Sequence, residues 1–224
     1  VMLEREWGER GRAVSGTAGG DVFHAGGDLK ECHEAGEGLP KLASGMLTDF
    51  HGGIYKMNRM PKPFVAGVNG AAGGAGLSIV SAFDLVVAGE SAQFTMAYTR
   101  AGVTPDGTST YFVARHIGVR RMLDLTLTNR VLSAREAEEW GLVNRVVPDS
   151  EVDAATAELA QSLADGPAWA LGHAKQIVYA GFNSSLEEAG EVEGAMIAEA
   201  MATHDGKEGI AAFVEKRSPT FTGE

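Results

Sequence analysis

Two glycine-rich stretches, Phe23-His24-Ala25-Gly26-Gly27-Asp28-Leu29 and Asn69-Gly70-Ala71-Ala72-Gly73-Gly74-Ala75-Gly76-Leu77, carry the residue types that let a ligand oxygen reach bare backbone N–H groups. Residues with little or no side chain permit that approach. Two such donors aimed at one carbonyl oxygen form an oxyanion hole, where each stabilises developing negative charge by about 3–4 kcal/mol. Ala75 stands where the second stretch feeds a helix, so its N–H is one of the unpaired first-turn donors and lies at the positive end of the dipole. Close packing of this turn against neighbouring backbone demands the same glycines. A phosphate loop is disfavoured, because no Lys-Ser/Thr follows and the dinucleotide spacing is not met. Asp106, in Thr104-Pro105-Asp106-Gly107, adds a carboxylate that either shapes its own turn or faces a pocket. His24 reads as filler within the first turn. Glu31-Cys32-His33-Glu34 has a metal-like composition, but consecutive residues on a helix project in different directions and lack zinc spacing.

The elements that position these residues follow from periodicity. Met46, Phe50, Ile54 and Met57 recur at helical spacing within 42–60, and Pro61 and Pro63 end that helix. Residues 63–68 read as a buried strand, followed by the glycine turn, a helix near 76–82 and a strand over 84–88, a βαβ unit with a short crossover. Helices are predicted over 108–117 and 120–127. Ser133-Ala134-Arg135-Glu136 is a capping box opening a helix that Gly141 can close, and 142–147 reads as a short strand. Beyond Pro148 the pattern is helical, over 151–163, 168–179, 186–203 and 207–216. The division is therefore an α/β core over 1–148 and a helical region over 149–224 that serves as a lid, an oligomer interface or both.

A chain of 224 residues with no low-complexity linker is long enough for a substantial core. Its net charge of −11 disfavours a nucleic-acid or anionic-membrane surface. The apolar run from Pro63 to Gly89 is interrupted by Asn69, several glycines and Asp84, which argues against a membrane span. The lone cysteine, Cys32, forms no intramolecular disulfide and no signal-peptide pattern precedes it, so a reducing, cytoplasmic setting is expected.

Read together, Phe23–Lys30, Pro63–Ala88 with Asn69-Gly70, Phe94–Gly107, Leu132–Pro148 and Gly209-Ile210-Ala211-Ala212-Phe213-Val214-Glu215-Lys216-Arg217 resemble the crotonase, or enoyl-CoA hydratase/isomerase, superfamily. The resemblance runs from Gly19 to Glu224. It implies a spiral of ββα/βαβ turns with carboxy-terminal helices for trimerisation, as a homotrimer or dimer of trimers. It also implies an acyl-CoA substrate whose thioester is held by two peptide N–H groups, those of Gly27 and Ala75 on this chain. Coenzyme A is then part of the substrate and no further cofactor is expected. Upstream of Gly19 the family's amino-terminal strand and first helix are not matched, apart from Arg12-Ala13-Val14.

Hydratases of the family place glutamates at two positions that fall on Ser78 and Tyr98 here. Neither is a carboxylate, and hydroxyls at ordinary pKa are poor substitutes for an acid/base pair near neutral pH. Asp106 falls where isomerases and dehalogenases of the family place a working aspartate. The resemblance, closest in pattern to the epoxyphenylacetyl-CoA isomerases, thus implies an isomerase in which Asp106 shuttles a proton over an enolate held by Gly27 and Ala75, with Tyr98 and Ser78 lining the acyl pocket. Lys30, Lys216 and Arg217 are the candidates for the anionic CoA tail. A hydratase with a non-standard base, a hydrolase, dehalogenase or decarboxylase sharing the enolate hole, and a non-catalytic acyl-CoA scaffold remain the alternatives.

Overall fold

The computed structural model describes residues 11–223. The chain opens with β1 (Val14–Thr17), β2 (Val22–His24), α1 (Leu29–Glu34) and α2 (Leu39–Arg59), and repeats the order with β3 (Phe64–Val68), β4 (Ala71–Gly73) and α3 (Ala75–Ala82). A third round comprises β5 (Leu85–Gly89), β6 (Gln93–Thr95), α4 (Ser109–Ile117) and α5 (Val119–Thr128). β7 (Leu132–Ser133), α6 (Ala134–Trp140) and β8 (Arg145–Val147) complete the strands, and α7 (Val152–Ala164), α8 (Ala168–Gly181), α9 (Leu186–Ala202) and α10 (His204–Glu215) follow. Each round contributes one strand to each of two four-stranded sheets, ordered β1-β3-β5-β8 and β2-β4-β6-β7. The β2–β4, β4–β6 and β5–β8 pairings are parallel, and β7 closes its sheet antiparallel to β6.

The step between sheets is tight. Asn69 and Gly70 alone separate β3 from β4; Asn69 Nδ2 donates to the Gly20 carbonyl at 2.5 Å, and a Cβ at Gly70 would run into the carbonyl of Asp21. Every residue of β3 is buried, as its unbroken apolar run predicts. The expected capping box is present: Ser133 accepts from the Glu136 N–H, Glu136 answers the Ser133 N–H, and Gly141 caps the helix at φ 84. Residues 71–73, expected as part of the glycine turn, form β4 instead, and the strand expected over 142–147 is shorter, because Leu142 and Val143 bond back to Ala137 at the end of α6. Among the described residues no helix is long and apolar enough to cross a membrane.

Two compact units partition the chain. One, Gly16–Asn58 with Ala66–Thr156, holds most of both sheets and a core that includes Met57, Leu77, Val87, Phe94, Met96, Leu125 and Leu132, all fully buried. The other comprises the described parts of Val1–Ser15, Arg59–Val65 and Ala157–Glu224. In that second unit Asp205, 1% exposed, ties down the carboxy-terminal segment by accepting from the Thr222 N–H at 2.7 Å and the Gly223 N–H at 2.8 Å, while Arg12 donates to the carbonyls of Ala164 and Thr222. Burial pushes the Asp205 pKa up, but the N–H groups of Thr222 and Gly223 outweigh it and hold the carboxyl below the ordinary Asp value. The carboxylate is thus favoured by folding, so its contribution is complete above the ordinary Asp range and is lost as pH falls through it and below. Asp205→Ala, which leaves those N–H groups without an acceptor, is expected to lower unfolding free energy by about 1–3 kcal/mol at neutral pH and to flatten the acid limb of the stability curve. Urea melts across a pH series read both effects.

Candidate active site

Parallel pairing of β2 with β4, with His24 opposite Ala72, carries the ends of both strands into adjacent turns. The two turns pack closely. A Cβ on Gly26 would sit 3.3 Å from Gly73 O and 3.9 Å from Ala75 N, one on Gly74 would sit 3.9 Å from Gly26 Cα, and one on Gly76 would run into the His24 carbonyl. Gly26 and Gly74 also adopt φ of +108 and +54, the region that favours glycine. Asp28 ends the first turn as the N-cap of α1, its Oδ1 accepting from the N–H groups of Lys30 and Glu31 at 2.9 and 3.1 Å. Among the described residues, the N–H groups of Gly27 and of Ala75, the first residue of α3, donate to no protein acceptor. His24 is more than filler: its Nδ1 accepts the Gly26 N–H at 3.1 Å.

Tyr98 and Ser78 come together beside these turns. After β6 the chain reverses at Ala97, φ 54, with Tyr98 N–H bonded to Met96 O at 2.6 Å, and this tight turn sends the Tyr98 ring inward. Its Cζ lies 3.9 Å from where a Cβ on Gly74 would be. The Tyr98 hydroxyl donates to Asp106 Oδ1 at 2.5 Å and lies 2.8 Å from Ser78 Oγ. The Tyr98 hydrogen goes to the carboxylate, so in their contact only Ser78 could donate, and its single hydrogen is shared with the carbonyls of Asp106, at 3.0 Å, and Gly74, at 3.3 Å. Burial, and then the bond to Asp106, raise the Tyr98 pKa, so the phenol stays protonated and remains a donor.

Asp106 is half-buried and fixed from three sides. Its carbonyl accepts from Ser109 N–H at 3.1 Å, Ser109 Oγ at 2.8 Å and Ser78 Oγ at 3.0 Å. Gly107, at φ +58, would drive a Cβ to within 2.5 Å of the Phe50 ring and 2.7 Å of Ser78 Cβ. Its N–H donates to Nε2 of His51 on α2 at 3.1 Å. Sequence reasoning did not single out His51; the available signal was a polar ring next to Phe50 in the apolar stripe of a helix. Removing the Tyr98 hydroxyl would free the carboxylate from its charge-assisted bond, so Tyr98→Phe is expected to reduce turnover by about 10-fold or more with little change in KM. Steady-state kinetics of the variant beside the wild-type protein would measure this.

The predicted cations are exposed. Lys30 is within 3.9 Å of Glu34 on the same helix. Lys216 is the left-handed C-cap of α10 at φ 57, in the other unit. Arg217 is engaged by Glu208, at 2.6 and 2.8 Å, and by Glu215 at 2.6 Å. Among the described residues no group of three His, Cys, Asp or Glu side chains is placed to hold a metal ion.

Residues 6–224 match the family described as Enoyl-CoA hydratase/isomerase. The 1,2-epoxyphenylacetyl-CoA isomerase of Escherichia coli is 34% identical over 209 residues, 93% of this chain and 80% of that protein. A 4-chlorobenzoyl coenzyme A dehalogenase of Arthrobacter is 36% identical over 183 residues, 81% of this chain and 66% of that protein. The crystal structure of an enoyl-CoA hydratase from Polaromonas aligns at a TM-score of 0.90 and 31% identity, covering 94% of this chain and 82% of that one.

Proposed function

Because the chain belongs to the enoyl-CoA hydratase/isomerase family, whose members act on acyl-CoA thioesters in a crotonase fold, we propose that it is an isomerase-type enzyme with Asp106 as its acid/base. The thioester oxygen accepts from the N–H groups of Gly27 and Ala75. Asp106 Oδ2, the oxygen not bonded to Tyr98, takes a proton from the acyl chain. The C–H electron pair forms the enolate double bond, and its charge collects on the oxygen facing the two donors. Returning the proton at another carbon restores the thioester carbonyl and shifts the double bond, with no net gain or loss of atoms.

What supports this reading is the bond from Tyr98 to Asp106, with Ser78 Oγ against the Tyr98 hydroxyl, and the presence of hydroxyls at 78 and 98, the positions to which the resemblance assigns the carboxylates of a hydratase. Incubating the purified protein with a panel of acyl-CoAs in heavy water tests it by mass spectrometry. Isomerisation is expected to give deuterium uptake without mass gain from water; water addition or release of free CoA as the main product would overturn it. Lys30 is proposed to meet the CoA phosphates of its own chain's ligand and Lys216 those of a neighbouring subunit's ligand, a role open to Arg217 only if its ion pairs open. Exposed apolar side chains on the last helices, among them Phe182, Leu186, Ile197, Met201 and Phe213, support self-association through that region.

A second reading, attack by the Asp106 carboxylate on an electrophilic carbon of the acyl group with a halide leaving that carbon and taking the bonding pair, is favoured by the likeness to a dehalogenase. Water cleaving the resulting ester at the enzyme carboxyl carbon would leave solvent oxygen on Asp106. Single turnover in heavy-oxygen water followed by peptide mass analysis separates the two, since proton shuttling leaves Asp106 unlabelled.

A further inference from the structure

His24 ends β2 half-buried, and the bond from the Gly26 N–H to its Nδ1, 3.1 Å, fixes the state of the ring. An Nδ1 that accepts carries no hydrogen, so the imidazole is neutral with its single hydrogen on Nε2. The same bond folds the Gly26 peptide back onto its own strand, leaving the following N–H, that of Gly27, as the free donor of this turn. Gly26 also faces the second turn: a Cβ added to it would point at Gly73 O, 3.3 Å away, and at Ala75 N, 3.9 Å away. We propose that His24 is a positioning residue whose neutral imidazole holds the first donor turn in register with Ala75, so that the donor pair is assembled only while Nδ1 is unprotonated. The proposal rests on the reading of Gly27 and Ala75 as paired donors.

Protonation would place an N–H on Nδ1 against the N–H of Gly26, two donors face to face, and the turn would have to rearrange. The surroundings hold the ring neutral. The elements that β2 packs against most are β4 and α3, and neither carries an ionisable side chain. On its own segment the charged groups are Asp21 and Asp28, and Asp28 is occupied in capping α1. Burial lowers the His24 pKa from its ordinary 6.5. The protonated fraction is therefore small at neutral pH and grows only below the ordinary histidine range.

The test uses 4-(dimethylamino)cinnamoyl-CoA, a push–pull thioester whose absorption moves to longer wavelength when its carbonyl oxygen is hydrogen-bonded, so it reads the donor pair without a catalytic step. The wild-type protein is expected to show a red shift at pH 8 that is lost on acidification with a midpoint below 6.5. His24→Asn retains an acceptor for the N–H two residues on, as in an Asx turn, but does not titrate, and is expected to keep the red shift without that midpoint. His24→Leu offers no acceptor and is expected to lose most of the red shift at every pH while binding the probe within a few-fold of wild type. Should His24→Leu fail to fold, the wild-type and His24→Asn pH curves decide alone. A wild-type shift that ignores pH, or the same midpoint in His24→Asn, overturns the proposal. No red shift in the wild-type protein at any pH removes the donor pair itself and the proposal with it, a result recognisable because it does not depend on residue 24.

Discussion

With Asp106 changed to Asn, hydrogen exchange on a bound acyl-CoA is expected to fall about 100- to 10,000-fold, the range for loss of a positioned acid/base group, while the dissociation constant of the same thioester changes only a few-fold. The substitution isolates chemistry from architecture. An Asn side chain keeps an oxygen to accept from Tyr98, and the backbone clamp on residue 106, from Ser109 and Ser78 to its carbonyl, does not involve the side chain. What is lost is an oxygen that can take a proton. Heavy-water exchange followed by mass spectrometry is the measurement; exchange within about 10-fold of wild type would leave too little for general acid/base catalysis by this residue to explain.

Ala75→Pro should be nearly as damaging for a different reason. Proline at the first helical position is well tolerated, because the N–H it lacks has no partner within the helix. Gly74 before it sits at φ 54 and ψ −120, outside the right-handed helical region that a following proline disfavours. The melting temperature is therefore expected to change little, whereas kcat should drop about 100- to 1,000-fold through loss of one oxyanion donor. Ala75→Gly, which keeps the N–H, serves as the control and should retain most activity. If Ala75→Pro folded and turned over at the wild-type rate, the N–H of Ala75 would have no part in stabilising the enolate.

Much of the frame was legible because it is local. Met46, Phe50, Ile54 and Met57 mark α2 by spacing alone, the box at Ser133 and Glu136 marks the start of α6, and the continuous run of β3 announces a strand buried on both faces. The second sheet was not legible. β2, β4 and β6 are three residues each, too short for any periodicity, and they are strands only because β4 pairs with partners far off in sequence on either side. For the same reason Ala71–Gly73 reads as turn. In the site, the glycine stretches, Ser78, Tyr98 and Asp106 could be picked out, but the bonds joining the last three depend on how α3 packs beside the loop after β6. The sequence makes His24 mere filler and leaves His51 unmarked for a subtler reason: each has a ring nitrogen that accepts a glycine N–H, and such a role depends on backbone direction, which side-chain composition does not record.

The contact between Ser78 and Tyr98 bears on how this scaffold could change its chemistry. Ser78 is wholly enclosed, with Tyr98 and the Asp106 carbonyl against its oxygen and Gly107 against its Cβ. Glutamate there would need volume that the neighbouring ring occupies, and would seat a second negative charge close to the aspartate, out of reach of water. A route to a two-carboxylate water-adding enzyme would have to shrink residue 98 and open a solvent path before position 78 could accept the new acid, so the first steps along it offer no catalytic return.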